Sequence, residues 1–211
     1  MFVKQMEVGN FSVFAYVVGC ERTKEALVID PAAETSRILL EAGSRGYTIR
    51  YIVNTHSHLD HTMGNRSMKQ LTGSKIVIHA LEAPSLVHQP PYLLAVFSAE
   101  PSPPADVTVL DGDEIRVGDV SLTVIHTPGH SRGSICLYAE GIVFTGDTLF
   151  VGGVGRTDLE GGSWEELQRS IKERLFVLPD ETIVAPGHNY GSEPRSTIGR
   201  EKRSNPFVRG L

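Results

Sequence analysis

Seven consecutive residues, Thr55-His56-Ser57-His58-Leu59-Asp60-His61, place four potential metal donors within six positions. His56 and His58 are two apart, so in an extended segment both imidazoles point the same way and can share one metal. Asp60 and His61 follow where the chain must bend, and can face a second metal. Neutral imidazole with carboxylate suits zinc, iron or manganese, whereas calcium or magnesium would take more oxygen. The plainer alternative, solvated histidines beside a helix start capped by Asp60, gives so dense a donor set no purpose. Three later segments repeat one pattern. His126-Thr127-Pro128-Gly129-His130, Phe144-Thr145-Gly146-Asp147 and Val184-Ala185-Pro186-Gly187-His188 each put a donor just after a strand-type run. Singly, a histidine after Pro-Gly is more often structural. Together they complete an inventory for two metals: His56, His58, His61, His130 and His188, with Asp60 and Asp147. Of the remaining histidines, His126 reads as a structural or hydrogen-bonding residue, and His79 and His88 as ordinary strand-end or loop residues.

Donors of this kind need rigid elements behind them. Apolar runs at Ala26–Asp30, Arg50–Asn54, Lys75–His79, Ser121–His126, Ser134–Tyr138, Ile142–Thr145 and Thr182–Ala185 read as strands. The segment Glu34–Gly43 carries Ile38, Leu39 and Ala42 at helical spacing and predicts a helix ending on glycine. Ser163 and Glu166 form a capping box ahead of a stripe of Trp164, Leu167, Ile171 and Leu175, predicting a helix that stops before Pro179. Asp111-Gly112-Asp113 predicts a hairpin turn between Val107–Leu110 and Glu114–Val117. Strands cluster before the first helix and again from about 107 to 145, which favours antiparallel or mixed sheets under outer helices. The proline-rich stretch between Pro84 and Pro104 predicts a long loop, read as a flap beside the site. Near the N-terminus, Gly9-Asn10 predicts a turn between two strands, with Phe11, Val13, Ala15 and Val17 on one face.

The whole chain bounds these readings. Its 211 residues fit one domain over 1–211, since a single core serves roughly 100–250 residues. Twenty Lys and Arg against 25 Asp and Glu leave a net charge of −5, with no basic stripe to displace phosphate counterions, which argues against nucleic acid as a partner. Cys20 and Cys136, the two cysteines, are too few for a disulfide framework and read as buried thiols. No run approaches the ~20 apolar residues of a membrane span, and Lys4, Gln5, Glu7 and Asn10 break any signal-peptide core, so the expectation is a cytoplasmic protein with no membrane partner. Oligomeric state is not readable from these residues.

The motifs T-H-x-H-x-D-H, H-T-P-G-H, G-D-T and a late G-H, here His56–His61, His126–His130, Gly146–Thr148 and Gly187-His188, resemble those of the metallo-β-lactamase-fold superfamily over nearly the whole chain. The resemblance implies an α/β fold, the four-layer αβ/βα sandwich of two mixed sheets packed face to face with outer helices. It implies that His56, His58 and His130 bind a first metal, Asp60, His61 and His188 a second, and Asp147 both. Within the superfamily the chain is most similar to the glyoxalase II-like, or hydroxyacylglutathione hydrolase-like, group. Asp147 stands where many true β-lactamases carry cysteine, which argues against antibiotic hydrolysis. That likeness implies a metallo-hydrolase with two divalent ions, zinc foremost and iron or manganese also suited. It would act on a small-molecule thioester such as S-lactoylglutathione through metal-bound hydroxide, with Asp60 and Asp147 as catalytic residues. The segment Phe150–Asp158 resembles the glycine-rich loop that contacts a glutathione carboxylate, so Arg156 is the expected substrate clamp and Tyr190 a second substrate contact. Classical members continue into a helical C-terminal domain, for which the residues after His188 leave no room. Gly155–Asp158 and the tail also resemble persulfide dioxygenases. That alternative implies a single iron on His56, His130 and Asp147, acting on glutathione persulfide.

Overall fold

The computed structural model describes residues 1–210, which divide into two compact units: Met1–Val109 with Ile115–Ser121, and Leu110–Glu114 with Leu122 onward. The first unit opens with β1 (Phe2–Val8), β2 (Val13–Gly19) and β3 (Glu25–Ile29), followed by α1 (Thr35–Ser44) and β4 (Thr48–Val53). Then come α2 (Leu59–Thr62), α3 (Asn65–Thr72), β5 (Lys75–His79), α4 (Ala83–Val87), α5 (Pro91–Phe97) and β6 (Val107–Val109). Its six strands stand in sequence order, β1 to β6. The first three are antiparallel and the last three join in parallel, so the sheet is mixed. Alternation along β2 explains its core: Val13, Ala15 and Val17 cluster with Val28, Ile38, Ile52, Met68 and Ile76.

The remaining elements are β7 (Glu114–Val117), β8 (Val120–His126), β9 (Ile135–Ala139), β10 (Ile142–Gly146), β11 (Leu149–Phe150), β12 (Gly153–Val154), α6 (Trp164–Ser170), β13 (Ile183–Pro186), β14 (Ser196–Thr197) and α7 (Ile198–Ser204). A second six-stranded sheet has the order β14-β13-β10-β9-β8-β7, and β11 pairs with β12. The pair β10 and β13 is parallel and its neighbours antiparallel, so this sheet is mixed as well. Its apolar cluster joins Ile125, Cys136, Val143 and Val184 to Leu167, Ile171 and Leu175, the stripe expected behind Ser163.

Several local expectations need correction. The Asp111-Gly112-Asp113 turn does not close a hairpin. The edge of β6 is paired with β5, Val77 to Val107 and His79 to Val109, while β7 belongs to the second sheet. Helix α1 runs through Gly43 to Ser44, because the left-handed backbone needed after it falls to Gly46, at φ +77°. Between Pro84 and Pro104 the chain is no irregular loop: α4 and α5 occupy most of it, each with proline in its first turn, where no amide hydrogen is missed. Phe11 lies in the β1–β2 turn, exposed, away from the core face of Val13, Ala15 and Val17. Behind α6 the helix widens into one π-turn, Ile171–Leu175, which no spacing announced.

Candidate metal centre

The first donor set is built on the end of β4. Beyond Val53 the chain stays tied to its neighbours, with Asn54 N donating to Val77 O at 2.9 Å and Asp30 N to Val53 O at 3.0 Å. Asp30, buried and at φ +47°, turns its carboxylate under the motif. It accepts from Thr55 N at 2.8 Å and Thr55 Oγ1 at 2.7 Å, and lies 3.0 Å from His61 Nδ1. Because the Thr55 hydroxyl spends its proton on Asp30, it accepts from His56 Nδ1, 3.0 Å away. Both rings are thereby held with the proton on Nδ1 and the lone pair on Nε2, the form a metal requires. His56 and His61 are 1% and 0% exposed, with ring centroids 4.3 Å apart, and His56 lies 4.6 Å from His58. Asp60 lies in the first turn of α2, which His58 precedes as N-cap, and its Oδ2 comes to 3.8 Å from His61 Nε2. Ser57 is held by Glu82, whose Oε2 accepts from Ser57 N at 2.9 Å and also from its hydroxyl, and Gln89 Nε2 donates to Ser57 O at 2.8 Å.

The second set stands on β8, β10 and β13. After β8, Pro128-Gly129 turns the chain so that His130 comes round. Gly129 has φ +133°, and a Cβ there would lie 2.2 Å from Leu167 N. The turn is fixed to α6 by Ser163 N donating to Gly129 O at 2.8 Å and Ser170 Oγ to Pro128 O at 2.7 Å. His130 Nδ1 donates to the Arg156 carbonyl at 2.8 Å, which leaves Nε2 facing Asp147 Oδ2 at 3.6 Å. Asp147 directly follows β10, and Gly187 N donates to Gly146 O at 2.8 Å, carrying His188 Nε2 to 3.4 Å from the same Asp147 oxygen. Gly187 is required sterically, since a Cβ would meet Asp147 Oδ1 at 2.4 Å.

These separations fit a metal. Donors 2.0–2.1 Å from a tetrahedral ion lie about 3.3 Å apart. The 3.4 and 3.6 Å found on Asp147 are longer than good hydrogen bonds and close to that figure. The chemistry agrees, neutral imidazole nitrogens and carboxylate oxygens in buried surroundings. Each unit thus gathers its own share of the expected ligands: His56, His58, Asp60 and His61 in the first, His130, Asp147 and His188 in the second.

The expected substrate contacts are placed differently. Arg156 lends its carbonyl to His130, while its guanidinium forks onto Asp158 at 2.7 Å twice, both side chains exposed. That guanidinium pulls the Asp158 carboxyl down to about 2. Tyr190 is exposed, its ring lying flat on His188 with centroids 4.4 Å apart and planes at 10°. His126 acts structurally as expected, with Nε2 donating to Arg132 O at 2.9 Å. Cys136 is buried and free, burial raising its thiol to about 11. Sequence reasoning missed Asp30, Glu82 and the Arg156 carbonyl. Asp30 alone left a signal: it follows a strand-type run, as every ligand set does, but with no second donor beside it.

The Metallo-beta-lactamase superfamily model matches residues 8–188. The Polaromonas sp. protein named hydroxyacylglutathione hydrolase is 36% identical over 95% of this chain and 72% of its own. Persulfide dioxygenase ETHE1, mitochondrial, of Homo sapiens is 32% identical over 98% of this chain and 75% of its own. Among solved structures, BLEG-1 B3 metallo-beta-lactamase superposes with a TM-score of 0.89 and 32% identity, covering 99% of this chain and 100% of that one. Two mixed sheets flanked by helices, strand-end histidines and aspartates, and this match over most of its length make the chain a member of the metallo-beta-lactamase superfamily.

Proposed function

We propose that the chain is a metal-dependent hydrolase of small acyl thioesters, glutathione conjugates such as S-lactoylglutathione among them. The observation that carries this is the pair of donor sets, in which His56, His61 and His130 are held through Nδ1 from behind so that Nε2 keeps its lone pair. In this reading the sets serve one pair of divalent ions: His56, His58 and His130 for one, Asp60, His61 and His188 for the other, Asp147 for both. Zinc is the first choice, with iron or manganese also meeting the donor set. Such a pair lowers the pKa of bound water from about 15.7 toward 7 and polarises a carbonyl oxygen.

The chain's own residues do the rest. Asp60 and Asp147 orient the attacking water and hold its proton on a carboxylate oxygen as the thiol leaves. Arg156, once its fork is released by Asp158, grips the carboxylate of the thiol carrier, a bidentate match that lysine cannot make. Tyr190, stacked on His188, gives the carrier a second contact. No serine or cysteine nucleophile is needed, and Cys136, a neutral thiol in the core, is unsuited to the part. We place the enzyme in the cytoplasm, without nucleic-acid partners. Among the described residues no helix is long and apolar enough to cross a membrane.

A second reading draws on the similarity to the human persulfide dioxygenase. There His56, His130 and Asp147 would hold one iron as a facial triad, and the reaction would consume oxygen with glutathione persulfide. The assays separate the two. Thioester hydrolysis without oxygen uptake is expected; oxygen uptake with intact thioesters contradicts the hydrolase reading. A β-lactam, included because of the BLEG-1 likeness, should remain uncleaved.

A further inference from the structure

Helix α7 carries a buried acid that the proposed chemistry leaves unused. Glu201 is 1% exposed, and a carboxylate out of water is costly unless hydrogen bonds meet it. Three groups do. Ser196 Oγ donates to Oε1, while Oε2 accepts from Gly152 N at 2.9 Å and from Asn205 Nδ2 at 2.8 Å. Asn205, fully buried just past the end of α7, also donates to Gly153 O at 3.0 Å. A brace for the fold alone would be complete with Ser196 and Asn205, which lie within five residues of Glu201. The bonds to Gly152 and Gly153 instead reach 49 and 52 residues back along the chain.

The segment so held is the β11–β12 hairpin. Leu149 pairs with Val154 and Phe150 with Gly153, leaving Val151 and Gly152 as a two-residue turn in which Gly152 takes φ +69°. A ribbon this short is marginal by itself in water, and α7 grips it at the turn. Its two limbs lead to different donors. On the first, the Phe150 ring stands edge-on to His188, centroids 5.9 Å apart and planes at 87°, and to Tyr190, at 5.6 Å and 79°. Beyond the second, Gly155 fits so closely that a Cβ would lie 1.8 Å from Asp147 O, and Arg156 O accepts from His130 Nδ1. A shift of the turn therefore moves the aromatic wall of His188, the carbonyl behind His130 and the Arg156 side chain together.

We propose that Glu201, with Asn205, is a positioning residue: it seats the β11–β12 hairpin so that Arg156 is presented to the carboxylate of the thiol carrier. It touches neither substrate nor metal, and acts through the Gly152 amide. The proposal rests on the hydrolase reading and deepens it, by naming what makes the site selective for carboxylate-bearing thioesters. Small errors of placement matter at such a contact, because a shift of about 1 Å can cost on the order of a hundredfold in rate.

The test compares the wild type with Glu201→Ala, which frees the turn, Glu201→Asp, which keeps the acid but shortens it, and Glu201→Gln, which keeps its length. In Glu201→Gln the amide oxygen can accept from Gly152 and Asn205 while its nitrogen donates to Ser196 Oγ, a hydroxyl that can accept as well as donate. The substrates are S-lactoylglutathione and lactoyl-N-acetylcysteamine, a thioester without a carboxylate, with metal supplied in excess. Glu201→Ala and Glu201→Asp should raise KM for the glutathione thioester about tenfold, the size of one charge-assisted hydrogen bond. KM for the carboxylate-free thioester should stay within about twofold, and Glu201→Gln should restore the wild-type KM. If Glu201→Ala does not fold, the Glu201→Asp and Glu201→Gln pair carries the same comparison. Equal rises in KM for both substrates, or a Glu201→Gln variant as impaired as Glu201→Asp, overturns the proposal. Binding of S-hexylglutathione, a thioether that is not hydrolysed, keeps the two readings apart. Binding weakened about tenfold in Glu201→Asp upholds the positioning role even if no thioester is turned over. Unchanged binding, with S-lactoylglutathione hydrolysed by the wild type, overturns the role and leaves the hydrolase standing.

Discussion

At the scale of single residues, the donors matter less than what holds them. Asp30 accepts three hydrogen bonds from Thr55 and His61 and through Thr55 sets His56 as well. Asp30→Asn keeps the shape but can place an amide hydrogen where an acceptor is needed. Metal affinity, measured by chelator competition, should fall about 10- to 100-fold with the far-ultraviolet spectrum unchanged; unaltered affinity would remove Asp30 from the account. Asp158 makes a second case. Its carboxyl, held at about 2 by Arg156, stays ionised throughout the working pH range, so the pair does not open by titration. Asp158→Asn should lower KM for a carboxylate-bearing thioester severalfold while kcat holds; a raised KM would mean that Asp158 positions Arg156 instead of competing for it. The donors were legible because they sit together or repeat one strand, Pro-Gly, His arrangement. Asp30 was not, because its partners lie 25 and 31 residues away.

At the scale of elements, the His130 turn and the start of α6 form one unit. Ser163 caps α6 by accepting from Glu166 N, while its own amide binds Gly129 O. The capping box is thus half as expected, because the Ser163 amide goes to the turn and not to Glu166. Ser163→Ala should cost about 1 kcal/mol, a fall in Tm of roughly 2–4 °C, with the His130 ligand still able to bind metal. Gly129→Ala strikes the same joint harder, since its Cβ would lie 2.2 Å from Leu167 N at a backbone angle that alanine avoids. Loss of metal binding along with stability is expected there, and a fully metallated variant would contradict it. Strands that end in a ligand were readable from apolar runs. The hairpin at Gly112 was misread because the true partner of β6 is β5, about thirty residues earlier, and short-range turn chemistry says nothing of that. The region of α4 and α5 looked irregular because proline is a breaker inside a helix but a good first residue.

At the scale of the whole molecule, the clustering of strands left antiparallel and mixed sheets both open, and both sheets are mixed. Which strand joined which sheet was not legible, since the parallel pairing of β10 with β13 bridges some forty residues. One domain over 1–211 remains our proposal, on the ground that metals shared by the two donor sets would tie the units into one folding reaction. On that ground removal of metal should lower Tm, with each ion at about 1,000 times its dissociation constant contributing roughly 4 kcal/mol; readdition of zinc should restore it. Two separate calorimetric transitions in the metallated protein would contradict the one-domain proposal. The central claim, that seven side chains hold a pair of metals, is tested most directly by elemental analysis of protein purified without added metal. Two divalent ions per chain are predicted, falling in Asp147→Ala. A single iron per chain, or content indifferent to Asp147, would contradict it.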